Sequence, residues 1–141
     1  MPYWLFKTEP DAWSWDQQKA KGAAGEEWTG VRNFQARGNM RKMRKGDRGF
    51  FYHTGDEKQV VGIVEVIAES HAESKAPEWE CVDLKAVADV PKPVTLAAIK
   101  AEPRLKDMVL AKNARLSVQP VSDSEWALVC RMGDVDTAKL K

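Results

Sequence analysis

The chain has 141 residues, of which 43% are hydrophobic, and a formal net charge of +1 at pH 7. A chain of this length buries roughly two thirds of the surface that it exposes when unfolded, so we expect one domain over residues 1–141 that folds without disulfides or metal. The apolar runs are far shorter than the ~20 residues of a membrane span, and the amino terminus lacks the hydrophobic region of a signal peptide, so we expect neither.

The first predicted elements are a strand and a short helix. The aromatic-rich run at 3–8 is bounded by Pro10, as a strand would be. Ser14, with Gln17 three residues later, is a capping-box pattern that opens a helix. We expect the glycine-containing stretch that begins at Gly22 to end this helix.

A basic helix is expected next, from Asn33 to about Lys45. The stretch 31–48 contains seven arginines and lysines against one acid, which is unusual in a chain that is nearly neutral overall. Three arginines fall with Asn33 within about 80° on a helical wheel, and guanidinium groups suit phosphate. The pattern therefore indicates either a track for a nucleic-acid backbone or a merely solvated charged face. The arginines of this row are Arg37, Arg41 and Arg44.

Strands dominate the middle of the chain, and short helices follow. Runs at 50–54 and 60–68 predict a hairpin, and the second run is apolar on both faces, which favours a central place in the sheet. A run at 81–88 alternates apolar and polar residues, as a strand with one wet face does. The remaining predicted elements are a helix from Thr95 to Ala101, a turn at Pro103, an extended segment from Arg115 to Val118, and a helix between the capping box of Ser122 with Glu125 and Gly133. These elements predict a compact α+β domain with a small, strongly curved, barrel-like sheet.

Trp28 lies in a predicted turn beside Gly30 rather than at a periodic apolar position. A loop tryptophan next to a glycine can expose a ring face at a cavity wall, where it stacks on a base or holds a methylated group. The alternative is a core residue, since most tryptophans are buried. We expect Trp4 and Trp126 in the core and leave three others open between pocket and core: Trp13, Trp15 and Trp79.

Two strand ends carry polar side chains suited to a pocket. Lys7, Thr8 and Glu9 end an otherwise apolar strand and offer donors and acceptors in succession. Tyr52 and His53 end another strand, so one of the two should face the core and the other should not. The alternatives are an ordinary strand end for the first group and a hydrogen-bonded structural histidine for the second.

The cysteines and the second histidine show no metal-binding pattern along the sequence. Cys81 and Cys130 are far apart and have no partner at ligand spacing, and His71 has no obvious chemical neighbour. We interpret both cysteines as reduced thiols of a cytoplasmic protein, and we expect a metal-free, cofactor-free monomer or weak dimer.

Six motifs occur in order along essentially the whole chain: YWLFKTEP, WTGVRNFQARGNMRKM, GDRGFFYHTG, VVGIVEV, KPVTLAAIK and RLSVQPVSDSEW. Together they resemble the EVE domain family. That resemblance implies a PUA-like fold, a curved mixed sheet forming a pseudo-barrel with peripheral helices, similar to YTH readers of methylated adenine in RNA. It implies a non-enzymatic module that takes a modified nucleobase of RNA or DNA into an aromatic pocket.

Carried over by position, the resemblance assigns pocket residues to four of these motifs. The family often has an acid where Thr29 stands and an asparagine where Gly38 stands, so the base preference does not carry over. The implied ligand-binding residues are Lys7, Thr8, Glu9, Trp28, Thr29, Gly30, Arg32, Asn33, Tyr52, His53, Arg115 and Ser117. The helix pattern, and not the resemblance, places Arg37, Arg41 and Arg44 on the nucleic-acid backbone.

Two other function classes stay open. A base glycosylase also binds an extruded base and needs one activated carboxylate, for which Glu9 and Asp16 are candidates. A zinc deaminase is disfavoured because its H-x-E and P-C-x-x-C signatures are missing. A protein-interaction module would leave the arginine row unexplained.

Overall fold

The computed structural model describes residues 2–113 and 115–140; Met1, Ala114 and Lys141 lie outside this description. Helices and strands are mixed along the chain without the regular βαβ repeat of a parallel sheet. The strands are β1 (Tyr3–Thr8), β2 (Glu26–Glu27), β3 (Arg48–His53), β4 (Gln59–Ala72), β5 (Glu80–Thr95) and β6 (Val118–Val121). The α-helices are α1 (Trp15–Ala20), α2 (Phe34–Lys42), α3 (Leu96–Ala101), α4 (Val109–Lys112) and α5 (Asp123–Met132), and 3-10 turns occupy Gly22–Ala24, Pro103–Leu105 and Thr137–Leu140.

The six strands form one mixed sheet in the order β2-β5-β4-β3-β1-β6. All neighbours are antiparallel except β1 and β3, which are parallel. Register shifts interrupt both long pairings, once between β3 and β4 and repeatedly between β4 and β5, and such bulges bend and twist a sheet. The sheet is therefore curved, as expected, but within the described residues its outer strands β2 and β6 do not pair to close a barrel.

Alternation along the strands divides the core between the two faces of the sheet. Trp4 and Phe6 of β1 belong to one buried cluster, while Leu5 between them belongs to the other. Helices α3 to α5 cover the Leu5 face with residues such as Trp126. Helix α2 and the loop before it cover the Trp4 face. The predictions that Trp4 and Trp126 are core residues are confirmed.

Local signals located most element boundaries correctly. Both predicted capping boxes are present, at Ser14 before α1 and at Ser122 before α5. Thr95 caps α3 by accepting a hydrogen bond from the Ala98 backbone. The expected hairpin is β3 with β4, and β4 lies inside the sheet as predicted. These features depend on neighbouring residues, which is why the sequence alone predicts them.

Several boundaries were predicted wrongly, and β4 runs to Ala72 rather than ending at Ala68. Helix α2 ends at Lys42, because Met43 turns extended and buries its side chain in the core. Strand β5 continues to Thr95 past two prolines, which lie in the irregular stretch of pairing between Asp89 and Val94, where no ladder N–H is needed. The extended segment expected at 115–118 starts only at Val118, where antiparallel pairing with β1 begins.

None of the helices in the described ranges combines the length and the apolar character that crossing a membrane would need. Both cysteines are free thiols with buried side chains, which confirms that the fold uses neither in a disulfide.

Candidate binding pocket

A cavity of about 280 Å³ opens where β1 ends, facing the loop that runs from β2 towards α2. This volume is close to the lower end of the ~300–1,000 Å³ typical of small-molecule sites, so it suits a small planar group. Six of the residues implied by the family resemblance line it: Lys7, Thr8, Trp28, Thr29, Gly30 and Ser117. The cavity is also lined by five residues that were not assigned to it: Ala12, Trp13, Glu26, Glu27 and Val31.

Trp28 is both a core residue and a cavity wall. Its side chain is only 7% exposed, and its ring meets Phe6 and Phe51 edge to face, with centroid distances of 5.5 and 5.6 Å. The Trp28 backbone N–H donates to the Val82 carbonyl at 2.8 Å, which fixes the loop on β5. The core alternative therefore holds, and Trp28 also lines the cavity, whereas its stacking on a base remains a prediction.

Trp13 supplies a second aromatic residue to the cavity lining. Its indole N–H donates to Gln18 Oε1 at 2.9 Å, and its carbonyl accepts a hydrogen bond from Thr8 Oγ1 at 3.1 Å. The contact with Gln18 limits how the Trp13 ring can turn, and the contact with Thr8 holds the Trp13 backbone. Trp15, by contrast, is 5% exposed and belongs to the core.

Lys7 is half-buried at the cavity, and burial lowers the pKa of its ammonium group. Its Nζ lies 5.7 Å from the ring centroid of Tyr52. Tyr52 itself is 2% exposed and lies in the core on the Leu5 face, and burial raises the pKa of its hydroxyl to about 12. Tyr52 therefore contacts the pocket through Lys7 rather than through the lining.

His53 is a hydrogen-bonded structural residue. Its Nε2 accepts from the Trp15 backbone N–H at 3.0 Å, which requires the proton on Nδ1, and Nδ1 lies 2.8 Å from Glu57 Oε1. The ring is 7% exposed and holds the start of α1 against the end of β3. Within the described residues, His53 is not part of the cavity lining.

Four other residues expected in the pocket lie around it rather than in its described lining. Glu9 is exposed, and its carbonyl accepts from the backbone of the turn before α1. Asn33 caps α2 by accepting from the Ala36 N–H at 2.9 Å. Arg115 is exposed in a turn, where its backbone N–H donates to the Asn113 side chain. Arg32 points away to an acid, described next.

Glu73 anchors the loop that carries the cavity wall. This carboxylate is 3% exposed and accepts from the Gly30 N–H at 3.2 Å and from both terminal nitrogens of Arg32, at 2.8 and 3.2 Å. A two-point contact with a guanidinium fixes orientation as well as distance. Glu73 comes from the turn after β4, so nothing in the local sequence of the loop indicates it.

Replacing Glu73 by glutamine is expected to lower the free energy of unfolding by about 1–2 kcal/mol, because a charged acceptor is lost while the partly exposed Arg32 returns to water. Urea unfolding measures this change. Glu78→Gln removes the same charge from an exposed site in the same turn and should change stability by less than about 0.5 kcal/mol. Equal stabilities for the two variants would contradict the anchoring role.

The predicted arginine row is not uniform. Arg41 makes a two-point salt bridge to Glu80 of β5, with Nε 2.8 Å from Oε1, and this contact lowers the pKa of Glu80 to about 2. Arg37 lies over the ring of Phe34, 4.8 Å from its centroid, and its side-chain Nε is buried without a hydrogen-bond partner. Arg44 is exposed on the turn after α2.

An aromatic pair stands on the surface beside Arg37. Phe34 is 69% exposed and stacks on Trp79 with a centroid distance of 5.9 Å and an interplanar angle of 25°. The Arg32 guanidinium lies 4.9 Å from the Trp79 centroid. Trp79, left open between pocket and core, is thus part of an outer surface of rings and guanidiniums.

The cavity carries opposite charges on its two sides. Lys7 lies at the end of β1, and Glu26 and Glu27 of β2 lie opposite. Ser74 donates to Glu27 from its hydroxyl and from its backbone N–H, and these bonds lower the pKa of the Glu27 carboxyl. Donors and ionised acceptors thus face one small space, an arrangement that suits the hydrogen-bonding edge of a heterocycle better than a phosphate.

The sequence matches one family model and several known proteins. Residues 2–132 match the model of the EVE domain. Thymocyte nuclear protein 1 of Danio rerio is 32% identical over 94% of this chain and 72% of that protein. The Gallus gallus protein of the same name is 31% identical over 90% of this chain, which spans 66% of the length of the chicken protein.

Solved structures give the same result for the fold. A protein from Agrobacterium tumefaciens superposes with a TM-score of 0.93 at 56% identity, covering 96% of this chain and 94% of that one. Human thymocyte nuclear protein 1 in complex with 5-methylcytosine-containing DNA superposes with a TM-score of 0.87 at 27% identity, covering 96% and 99%. A YTH domain from Zygosaccharomyces rouxii shares the fold, with a TM-score of 0.58 at 11% identity over 94% and 86%. The PUA-like α+β class is confirmed.

Proposed function

Because the chain belongs to the EVE domain family, we propose that it is a non-enzymatic nucleic-acid-binding module whose cavity takes up one modified nucleobase. The observation that carries the proposal is the pairing of two indoles, Trp13 and Trp28, with opposite charges around a cavity of about 280 Å³. A relative with 27% identity and the same fold, human thymocyte nuclear protein 1, forms a complex with 5-methylcytosine-containing DNA.

In this proposal the indoles contact the flat faces of the base and polar groups contact its edge. Stacking on aromatic rings is available to every base, whereas hydrogen bonds to the edge distinguish one base from another. Lys7 and Ser117 offer donors, and Glu26 offers an acceptor to an exocyclic amino group. Because protein side chains would surround the base in this cavity, the base must leave the stack of its own strand to enter it.

The phosphate contacts are assigned to the side of α2 that carries Phe34 and to the turn that follows α2. Arg37 and Arg44 are proposed to contact the strand, together with the exposed ring of Phe34, which offers a stacking surface for a neighbouring base. Arg41 contributes less to this surface, because Glu80 neutralises its charge.

The test is a binding titration with matched single-stranded and duplex DNA that carries cytosine or 5-methylcytosine at one position. We expect tighter binding to the methylated strand, and analysis of the recovered oligonucleotide should show no cleavage and no abasic site. Equal affinity for both strands would contradict base recognition, and a released base would identify a glycosylase. Glu9 and Asp16, the two carboxylates suggested for that chemistry, are exposed and do not line the described cavity. The carboxylates that do line it are Glu26 and Glu27.

Salt dependence tests the proposed phosphate surface. If Arg37 and Arg44 each contact one phosphate, the double variant Arg37→Ala/Arg44→Ala should make the slope of log K against log salt shallower by about 1.4 on a single strand. Arg41→Ala removes a guanidinium from α2, the helix that also carries Arg37, and should change the slope by at most about half of what one phosphate contact contributes. An unchanged slope in the double variant would mean that these arginines do not contact phosphate and form only a solvated charged face. That result would favour a protein-interaction module.

Two further expectations remain predictions. A cytoplasmic setting rests on the two free cysteines, and a monomer or weak dimer remains the expected state of assembly. Fractionation of cells and sedimentation of the purified chain measure them directly.

A further inference from the structure

We propose that Glu27, His71, Cys81 and Asp83 form a binding site for one zinc-class divalent cation. All four side chains offer ligand atoms that lie within 4.8 Å of one another. The set joins a thiol, an imidazole and two carboxylates, which are the ligand types that Zn²⁺ takes in proteins.

The strand register brings these residues together. Cys81 and Asp83 are two residues apart on β5 and therefore point to the same face of the sheet. Glu27 of β2 pairs directly with Asp83, and His71 of β4 pairs directly with Cys81. Two cross-strand pairs on three adjacent strands thus converge on one point. The expectation that His71 has no chemical neighbour is wrong, because its partners are distant along the sequence.

The distances between ligand atoms are close to those of a tetrahedral site. Zinc bonds of the usual length place neighbouring ligand atoms roughly 3.3–3.7 Å apart. His71 Nε2 lies 3.7 Å from Cys81 Sγ and 2.8 Å from Asp83 Oδ1. Seating a cation between the four groups therefore requires side-chain shifts of about 1 Å or less, and the backbone register need not change.

Outer contacts already orient two of the ligands. The other ring nitrogen of His71, Nδ1, lies 2.9 Å from the Ala72 carbonyl, which can accept its proton, so Nε2 could bind a metal in place of its present contact with Asp83. Ser74 donates to Glu27 from its hydroxyl and its backbone N–H. Metal-binding imidazoles and carboxylates commonly have such partners, which fix the direction of the ligand atom.

The charges at this point favour a cation. Glu27 and Asp83 are like charges directly opposite each other on neighbouring strands, a pairing that is unfavourable without compensation. In this structure His71 compensates Asp83, and Ser74 donates two hydrogen bonds to Glu27. A bound divalent cation would compensate both carboxylates at once.

The site would also connect to the cavity. Glu27 lies immediately before Trp28 and belongs to the two-residue edge strand β2. A cation held jointly by β2, β4 and β5 would fasten the start of the cavity-wall loop to two long strands. This role differs from base binding and does not depend on it.

Cobalt titration tests the proposal, because Co²⁺ reports tetrahedral geometry and thiolate ligation in its visible and near-ultraviolet spectrum. Protein freed of metal with a chelator should bind one Co²⁺ per chain, with a thiolate-to-cobalt charge-transfer band, and Zn²⁺ should displace it. Zn²⁺ should also raise the melting temperature of the wild-type chain. A wild-type protein with no such band would overturn the proposal.

Matched variants locate the site. Cys81→Ser should abolish the charge-transfer band and weaken Zn²⁺ binding at least about tenfold, while Cys130→Ser, the same change at the other buried thiol, should leave both unchanged. Should Cys81→Ser fail to fold, His71→Gln and Asp83→Asn, at partly exposed side chains, should each weaken binding at least about tenfold. Unchanged Zn²⁺ affinity in those two variants would overturn the proposal.

Discussion

Replacing Trp28 by alanine is expected to lower the free energy of unfolding by about 3–5 kcal/mol. The indole is 7% exposed and fills the space between Phe6 and Phe51, so its removal leaves a hole in the Trp4 face of the core. Denaturant unfolding followed by fluorescence and by far-ultraviolet circular dichroism measures the loss. If the free energy of unfolding of Trp28→Ala were within about 1 kcal/mol of the wild-type value, the neighbouring side chains would have moved to fill the space left by the indole.

The effect of Trp28 on binding needs a milder change, because Trp28→Ala alters fold and pocket together. Trp28→Phe keeps an apolar ring and should remain folded under binding conditions, while losing part of the ~1–3 kcal/mol that stacking on one base contributes. The preference for 5-methylcytosine over cytosine should fall, and the salt slope should stay the same. If Trp28→Phe kept the full preference and Trp13→Ala lost it, Trp13 would be the selective wall.

Replacing Gly62 by alanine should destabilise the fold by about 1–3 kcal/mol or more, through overpacking. A β-carbon at Gly62 would lie 2.3 Å from the ring of Trp15, which is held at its indole N–H by Asp89 at 2.7 Å. Because the Trp15 ring packs on Phe51, which contacts Trp28, the displacement should also reach the cavity wall. Thermal and denaturant unfolding measure the first effect, and oligonucleotide titration measures the second.

Gly38→Ala is the matched control for Gly62→Ala. Gly38 lies inside α2 with no heavy atom within 4 Å of an added β-carbon, so alanine should stabilise the helix by about 0.5–1 kcal/mol. The same chemical change should therefore have opposite signs at the two positions. Destabilisation of similar size at both would contradict the packing argument.

The sequence predicted what depends on neighbouring residues. Capping boxes at Ser14 and Ser122 and the alternation along β1 are local signals, and each appears as expected. The family motifs added positions that the pattern alone leaves open, including Lys7 and Ser117, which are far apart in sequence but line one cavity. Both kinds of prediction need only which residues occur, not how strands pair.

The sequence did not predict contacts that depend on strand register and on long-range pairing. Glu80 neutralises Arg41 across the gap between α2 and β5, so a helix free of acids in its own sequence still has a carboxylate partner. Glu73 holds Gly30 and Arg32 from a separate turn. In each case the partner is a glutamate whose neighbours in the sequence form no recognisable motif. Neither composition nor spacing therefore distinguishes it from a solvated acid.

The position of β1 inside the sheet has a consequence for synthesis of the chain. The first strand made pairs with β3 on one side and with β6, near the end of the described chain, on the other. The Lys7 N–H donates to the Ser117 carbonyl at 2.9 Å, so the floor of the cavity joins early and late residues. Closing such a long loop costs entropy before its contacts form, which slows folding. A chain whose synthesis stops before β6 would thus contain both indoles of the cavity but not the residues that close it. Ligand binding would therefore distinguish chains that include β6 from shorter ones.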